Sequence, residues 1–296
     1  MGNPIFKGSA VAIVTPMNSD GSVNYEEYGK LIDFQINNGT DAIVACGTTG
    51  ESATLTREEH CEVIKYTVEK VNKRVPVIAG TGSNDTVFAA ELSREAEEFG
   101  ADAILSVTPY YNKTSQAGLV RHYNYIADRI HIPMIVYNVP SRTGCNIKPE
   151  TYAELAKHPN IQATKEANGD ISALVRTMAL CGDNLDVYSG EDSQAFSITA
   201  MGGLGVISVF ANVCPRECHD MMALALNGQF KESFAMQKYY IELMDMLFSD
   251  VNPIPVKAAM NLLGFNCGPC RMPLAPMSEK GFEALKACLQ KYGIIQ

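Results

Sequence analysis

Basic residues are in deficit: Lys and Arg number 24 against 33 Asp and Glu, for a formal net charge of −9. Nucleic-acid binding needs a basic patch that displaces counterions from phosphates, and this balance argues against that class. Any small anionic substrate must be held by a few local cations against this global field. Long apolar runs are missing too, and with them any expected membrane span. Met1–Ser9 sets no charged start before an apolar stretch, so no signal peptide is expected. Phe6 stands where a myristoylation signal beginning at Gly2 would carry Ser or Thr. The nine cysteines are odd in number and follow no disulfide framework, which points to a reduced, cytoplasmic protein. Cys267 and Cys270 form one C-x-x-C without a second pair at zinc-site spacing, and Cys214, Cys218 and His219 make only a loose cluster. Buried, inert thiols are expected there, and no metal.

What is present is repetition. Apolar content is 46% and charged content 19%, as in ordinary soluble globular proteins. From residue 10 to about 228 a short apolar run, a polar or glycine-rich turn and a helical pattern recur. The runs are Ala10–Val14, Ala42–Cys46, Val75–Ala79, Ala103–Val107, Pro133–Tyr137, Ile161–Thr164, Leu185–Tyr188 and Leu204–Val209. They are rich in Val, Ile and Ala without polar alternation, which suits strands covered on both faces. Helical patterns over Tyr25–Asn38, Arg57–Asn72, Asp85–Phe99 and Gln116–Arg129 lie between them. Asn24 is placed to cap the first, and Thr56 with Glu59 reads as a capping box on the second. Eight such units over roughly 220 residues match a closed (β/α)8 TIM barrel of the α/β class. A doubly wound sheet would carry a glycine fingerprint after its first strand; here that position reads Thr15-Pro16-Met17-Asn18. The barrel is therefore expected over 1–228. A C-terminal helical domain is expected over 229–296, with helices at Phe230–Phe248, Ile254–Leu263 and Ser278–Tyr292.

Barrel enzymes place reacting groups at the C-terminal ends of their strands. Those ends here supply hydroxyls, phenols, one lysine (Lys165, of fifteen in the chain) and one arginine, Arg142. Histidine is missing from the set: His60, His122, His131 and His158 fall in helical or helix-to-strand segments, and His219 lies past the last strand. An open metal-hydrolase site is not expected. A lysine among low-dielectric walls loses part of its proton affinity and attacks carbonyls as a free amine. The resulting imine acts as an electron sink, so deprotonation beside it gives a carbon nucleophile. Tyr137 and Thr48 are suited to move protons, and Arg142 to grip a carboxylate with a planar fork. The Gly47-Thr48-Thr49-Gly50 turn offers hydroxyls and backbone N–H groups to a second carboxylate. Each residue taken singly also has an ordinary reading: a core phenol, a surface ion pair, a plain turn.

Taken together, Gly47-Thr48-Thr49-Gly50-Glu51, Tyr137-Asn138-Val139-Pro140-Ser141-Arg142-Thr143-Gly144 and Lys165-Glu166-Ala167 resemble the dihydrodipicolinate synthase family. This is the lysine-pathway branch of the pyruvate-dependent aldolases that include N-acetylneuraminate lyase. The resemblance runs from Gly8-Ser9-Ala10 to Arg271-Met272-Pro273-Leu274. It implies condensation of pyruvate with L-aspartate-4-semialdehyde to 4-hydroxy-tetrahydrodipicolinate, without metal or organic cofactor. Lys165 would carry the Schiff base. Tyr137, Thr48 and Tyr111 would form the proton relay, with Tyr111 reaching in from a neighbouring subunit of a homotetramer built as a dimer of dimers. Thr49 and the Ile207 backbone would hold pyruvate, and Arg142 the semialdehyde's carboxylate. The Ser141-Arg142 and Thr48-Thr49 pairs favour the synthase over a sibling sugar-acid aldolase. An idle barrel serving as a sensor is disfavoured, since the lysine, the tyrosine and both threonines are present. Ser52, Ala53, His60, Asn84 and Tyr110 match positions that bind lysine in regulated members. Arg57 and Phe88 depart from that pattern, so weak or absent inhibition by lysine is expected.

Overall fold

All eight apolar runs form strands, although their ends shift. The computed structural model describes residues 3–296; the readings on Met1 and Gly2 lie outside them. The first four strands are β1 (Gly8–Ala12), β2 (Ala42–Ala45), β3 (Val77–Gly80) and β4 (Ala103–Val107). Then come β5 (Met134–Asn138), β6 (Ile161–Glu166), β7 (Asp186–Ser189) and β8 (Gly205–Ser208). Each pairs in parallel with the next, and β8 closes on β1 to complete a (β/α)8 barrel.

Period-two alternation assigns the strand side chains to two cores. Ala10, Ala12, Ala42, Ala103, Ala163 and Tyr137 belong to the interior set. Val11, Ile43, Val77, Ile104, Val136 and Val206 face outward into the layer beneath the helices. Just ahead of β1, Phe6 stacks on Tyr188 with ring centroids 4.2 Å apart, and Tyr188 Oη donates to the Phe6 carbonyl at 2.8 Å. The barrel floor is thus filled, and the C-terminal end of the strands forms the mouth.

The helices are α1 (Tyr25–Asn37), α2 (Arg57–Val71), α3 (Thr86–Glu98) and α4 (Gln116–Ala127), each ending one to two residues before its sequence pattern does. Asn24 caps α1 by accepting from the Glu27 amide, and both halves of the Thr56–Glu59 capping box form on α2. Then come the short α5 (Pro140–Thr143), α6 (Pro149–Leu155) and α8 (Ala195–Ala200), with the longer α7 (Ile171–Cys181) and α9 (Pro215–Leu226) on either side of α8. The C-terminal helical segment adds α10 (Phe230–Met246), α11 (Ile254–Leu262) and α12 (Glu279–Lys291). Among the described residues no helix is long and apolar enough to cross a membrane.

Three strand ends depart from the apolar runs for identifiable reasons. β1 stops at Ala12, and the Val14 amide turns to the side chain of Asn212 instead of a neighbouring strand. β8 stops at Ser208 because the Val209 and Phe210 amides go to the Asp192 carboxylate. β6 runs past Thr164 to Glu166, so Lys165 is not its last residue: the ladder continues through Tyr137–Lys165 and Asn138–Glu166 pairs. Polar residues hid that extension: Thr164 and Glu166 find partners on the outer face, at the Val136 carbonyl and Tyr152 Oη, while Lys165 lies over the Tyr137 ring.

Candidate active site

Lys165 faces Tyr137 of β5 on one side and Tyr188 of β7 on the other. Its Nζ lies 4.3 Å from the centroid of the Tyr137 ring. The side chain is only 6% exposed. Burial is the main cause that lowers its pKa to about 8; Arg142 pushes the same way, while Glu191 and Asp192 oppose. Gly190 makes room for it, because a Cβ there would meet Ala167 Cβ at 2.8 Å and Lys165 Cε at 3.1 Å. Burial also holds the Tyr137 phenol well above the usual phenol range, with Arg142 opposing. Tyr137 is therefore held as the neutral phenol at neutral pH.

A cavity of about 170 Å³ opens over these two residues. Thr48, Thr49, Arg142 and Glu191 share its walls with them. The turn that carries the threonines is braced from below: Gly50 N donates to Gly47 O at 3.1 Å, and Thr15 Oγ1 donates to Gly50 O at 2.8 Å. The Gly50 amide is thereby spent within the turn. Those of Thr48 and Thr49 donate to nothing among the described residues and stay available to a ligand. Arg142 sits on α5 at the exposed rim and makes no ion pair among the described residues. The expected alternative of a surface ion pair does not occur.

Behind the cavity wall, Asn138 and Glu166 form a hub. Asn138 Nδ2 donates to Glu166 Oε1 at 3.0 Å and to Asn146 Oδ1 at 2.8 Å, while its Oδ1 accepts from the Ile147 amide at 3.2 Å. Tyr152 Oη and the Asn168 amide donate to the same carboxylate, at 2.9 and 3.0 Å. The strand ends bearing Tyr137 and Lys165 are thereby tied to the chain returning from Arg142. Burial raises the Glu166 pKa to about 7 against these donors.

The structure therefore brings Thr48, Thr49, Tyr137, Arg142 and Lys165 around one cavity. It leaves two expected residues apart. Tyr111 is 91% exposed, with a left-handed φ of 67°, and lies away from its own chain's cavity. Ile207 belongs to the interior core of the barrel, and Val209 takes the place beside the cavity after β8. Cys46 also borders the cavity, buried, with its thiol pushed well above the usual range. Burial likewise raises Cys267 to about 12 and Cys270 to about 11, so neither is a ready thiolate.

Sequence reasoning passed over Asn252, whose Nδ2 donates to Thr49 Oγ1 at 3.0 Å across a separation of 203 residues. Glu191 was visible only as a strand-end residue without a role. A local signal exists for Glu191, in the Gly190-Glu191-Asp192 exit of β7; none exists for Asn252.

A profile described as the Dihydrodipicolinate synthetase family matches residues 5–292. The chain belongs to that family. A relative from Acetivibrio thermocellus named 4-hydroxy-tetrahydrodipicolinate synthase is 55% identical over 295 residues, covering 100% of both chains. The crystal structure of a chloride-inhibited dihydrodipicolinate synthase from Acinetobacter baumannii, complexed with pyruvate, superposes with a TM-score of 0.96 at 43% identity. It covers 98% of this chain and 99% of the other. A monomeric dihydrodipicolinate synthase variant gives a TM-score of 0.95 at 42% identity, with 98% of each chain covered. Membership in the dihydrodipicolinate synthetase family accounts for the barrel and for the helical segment that follows it.

Proposed function

We propose that the chain condenses pyruvate with L-aspartate-4-semialdehyde to give 4-hydroxy-tetrahydrodipicolinate, in the lysine and diaminopimelate pathway of the cytoplasm. The observation that carries this reading is a nearly buried lysine, with its pKa lowered to about 8, beside a neutral phenol and an unpaired guanidinium. The synthase names of full-length relatives favour it over a sugar-acid aldolase.

Lys165 Nζ attacks the keto carbon of pyruvate, and the carbonyl oxygen leaves as water after accepting protons through Tyr137 and Thr48. The protonated imine draws electrons from the methyl group. Loss of a methyl proton gives an enamine, whose carbon attacks the aldehyde of the second substrate. The aldehyde oxygen takes up a proton to become the 4-hydroxyl. The semialdehyde's amino group then attacks the imine carbon, closing the ring and expelling Lys165 as the free amine. Thr49 and the amides of its turn suit the pyruvate carboxylate; a contact from the Ile207 backbone rests on the family resemblance alone, since Ile207 does not line the cavity. Arg142, at the rim, suits the carboxylate of the semialdehyde. The family resemblance suggests a homotetramer of two dimers; the exposed Tyr111 is then free to complete the relay of a neighbouring subunit.

Arg142→Ala tests the assignment of the second substrate. A bidentate, charge-assisted contact should be worth ~50-fold or more in kcat/KM for the semialdehyde. Trapping of pyruvate alone by borohydride should change far less. Equal losses in the two assays would remove Arg142 from its role.

Regulation is expected to be weak. Ser52, Ala53, His60, Phe88 and Tyr110 line a second cavity of about 470 Å³ that meets the first at Thr48, Arg142 and Asn252. Phe88 offers an apolar ring where an effector ammonium needs a carboxylate. Arg57 is drawn to Glu95 at 2.7 Å and Glu91 at 3.4 Å. Initial rates should be unchanged by sub-millimolar lysine, and inhibition in that range would contradict this.

A further inference from the structure

The chain between α10 and α11 crosses the barrel mouth, and two of its side chains, Phe248 and Asn252, border the cavity. Asn252 is 5% exposed. Its Nδ2 donates to Thr49 Oγ1 at 3.0 Å, and its Oδ1 has no partner among the described residues. A few residues further on, Lys257 reaches back to the same turn and pairs with Glu51 at 2.7 Å, with both side chains almost wholly buried. The C-terminal segment therefore grips the threonine turn at two points.

A threonine hydroxyl carries one proton and two acceptor positions. Once an amide N–H occupies one acceptor position, the hydroxyl proton must look for an acceptor elsewhere. Among the described residues Thr49 Oγ1 donates to nothing, although its side chain is buried to 3% exposure. Its donor function is free toward the cavity. A carboxylate entering there offers only acceptors, which is the complement.

We propose that Asn252 is a positioning residue: by donating to Thr49 Oγ1 it obliges the Thr49 hydroxyl to present its proton to the carboxylate of the first substrate. This rests on the reading of Thr49 as a pyruvate contact. An unpartnered Asn252 Oδ1 is the cost of that arrangement. With the amide reversed, Oδ1 would take the Thr49 proton for itself, and a buried NH2 would be left with no acceptor. The carboxylate is held before and after imine formation alike. Loss of the contact should therefore raise KM for pyruvate more than it lowers kcat.

The test uses the full-length enzyme with Asn252→Ala, Asn252→Asp, Thr49→Val and the double variant Thr49→Val/Asn252→Ala. Steady-state rates are measured in both substrates, with borohydride trapping of pyruvate alongside. Asn252→Ala should raise KM for pyruvate about 10-fold while kcat stays within about 3-fold. Asn252→Asp keeps the shape but accepts where Asn252 donates, so it should be at least as damaging; it carries the test if the alanine variant fails to fold. The double variant should be no worse than Thr49→Val alone, since Asn252 acts through that hydroxyl. A near-normal KM in Asn252→Asp, or losses that multiply in the double variant, would overturn the proposal. An unchanged KM in Thr49→Val would overturn it together with the role of Thr49. Absence of any pyruvate adduct in the unsubstituted enzyme would instead remove the proposed function beneath both.

Discussion

Lys165→Ala is expected to lower kcat by on the order of 10³-fold or more, with no loss of fold stability. In the proposed reaction the side chain supplies the covalent step, and among the described residues no second lysine borders the cavity to replace it. Its removal takes a desolvated amine out of an apolar wall, so the thermal midpoint should hold or rise. The pH dependence follows from the same burial. In the folded chain Lys165 gives up its proton near pH 8, and in the unfolded chain near the ordinary value of 10.5. Between those values the unfolded state binds more protons, so this group makes stability increase as pH rises from about 8 to 10.5. Below that window its desolvation penalty is fully felt. The free amine needed for attack grows over the lower limb, so kcat/KM for pyruvate should climb toward a bend near pH 8. Rates measured over pH 6 to 10, with unfolding by denaturant at the same values, check both slopes; a variant keeping a tenth of the activity would contradict the role.

The buried ion pair between Lys257 and Glu51 gives the second large effect. Lys257 Nζ donates to Glu51 Oε1 and to the Pro269 carbonyl, both at 2.7 Å, and Glu51 Oε2 accepts from the Arg271 amide at 2.8 Å. Lys257→Met keeps the apolar stem but leaves the Glu51 carboxylate buried without its counter-ion. That should cost about 3–5 kcal/mol of stability. Glu51 directly follows the turn bearing Thr48 and Thr49, so the strain falls on the cavity and kcat/KM should drop as well. Adding Glu51→Gln to Lys257→Met removes the stranded charge and should recover much of the loss. Urea unfolding of the two single variants and the double variant measures this. A double variant as unstable as the sum of the singles would show that the two groups do not depend on each other.

How much of this was legible in the sequence depended on the range of each interaction. Parallel strands covered on both faces must be apolar throughout, so all eight runs were visible. The end of β6 was not, because its last three residues are polar: Thr164 and Glu166 bond to Tyr152 on the outer face, and Lys165 lies over the Tyr137 ring. The Thr56–Glu59 capping box was readable since both partners lie within one turn. Lys165, Tyr137, Thr48 and Arg142 could be brought together once strands were counted, because barrel topology puts successive strand ends around one mouth. The same rule says nothing about the segment after β8. Glu51 and Lys257 stand 206 residues apart, and Thr49 and Asn252 stand 203 apart. No local periodicity links such pairs; only the path of the C-terminal chain over the barrel does. Tyr111 is the opposite case, suggested by family resemblance and found exposed with a left-handed backbone.

In the proposed reaction Lys165 forms an imine with pyruvate. The most direct test incubates the enzyme with pyruvate, reduces it with borohydride, and reads the intact mass followed by peptide mapping. One reduced pyruvate per chain, localised to Lys165 and absent from Lys165→Ala, is the predicted result. No adduct, or an adduct on another lysine, would contradict it.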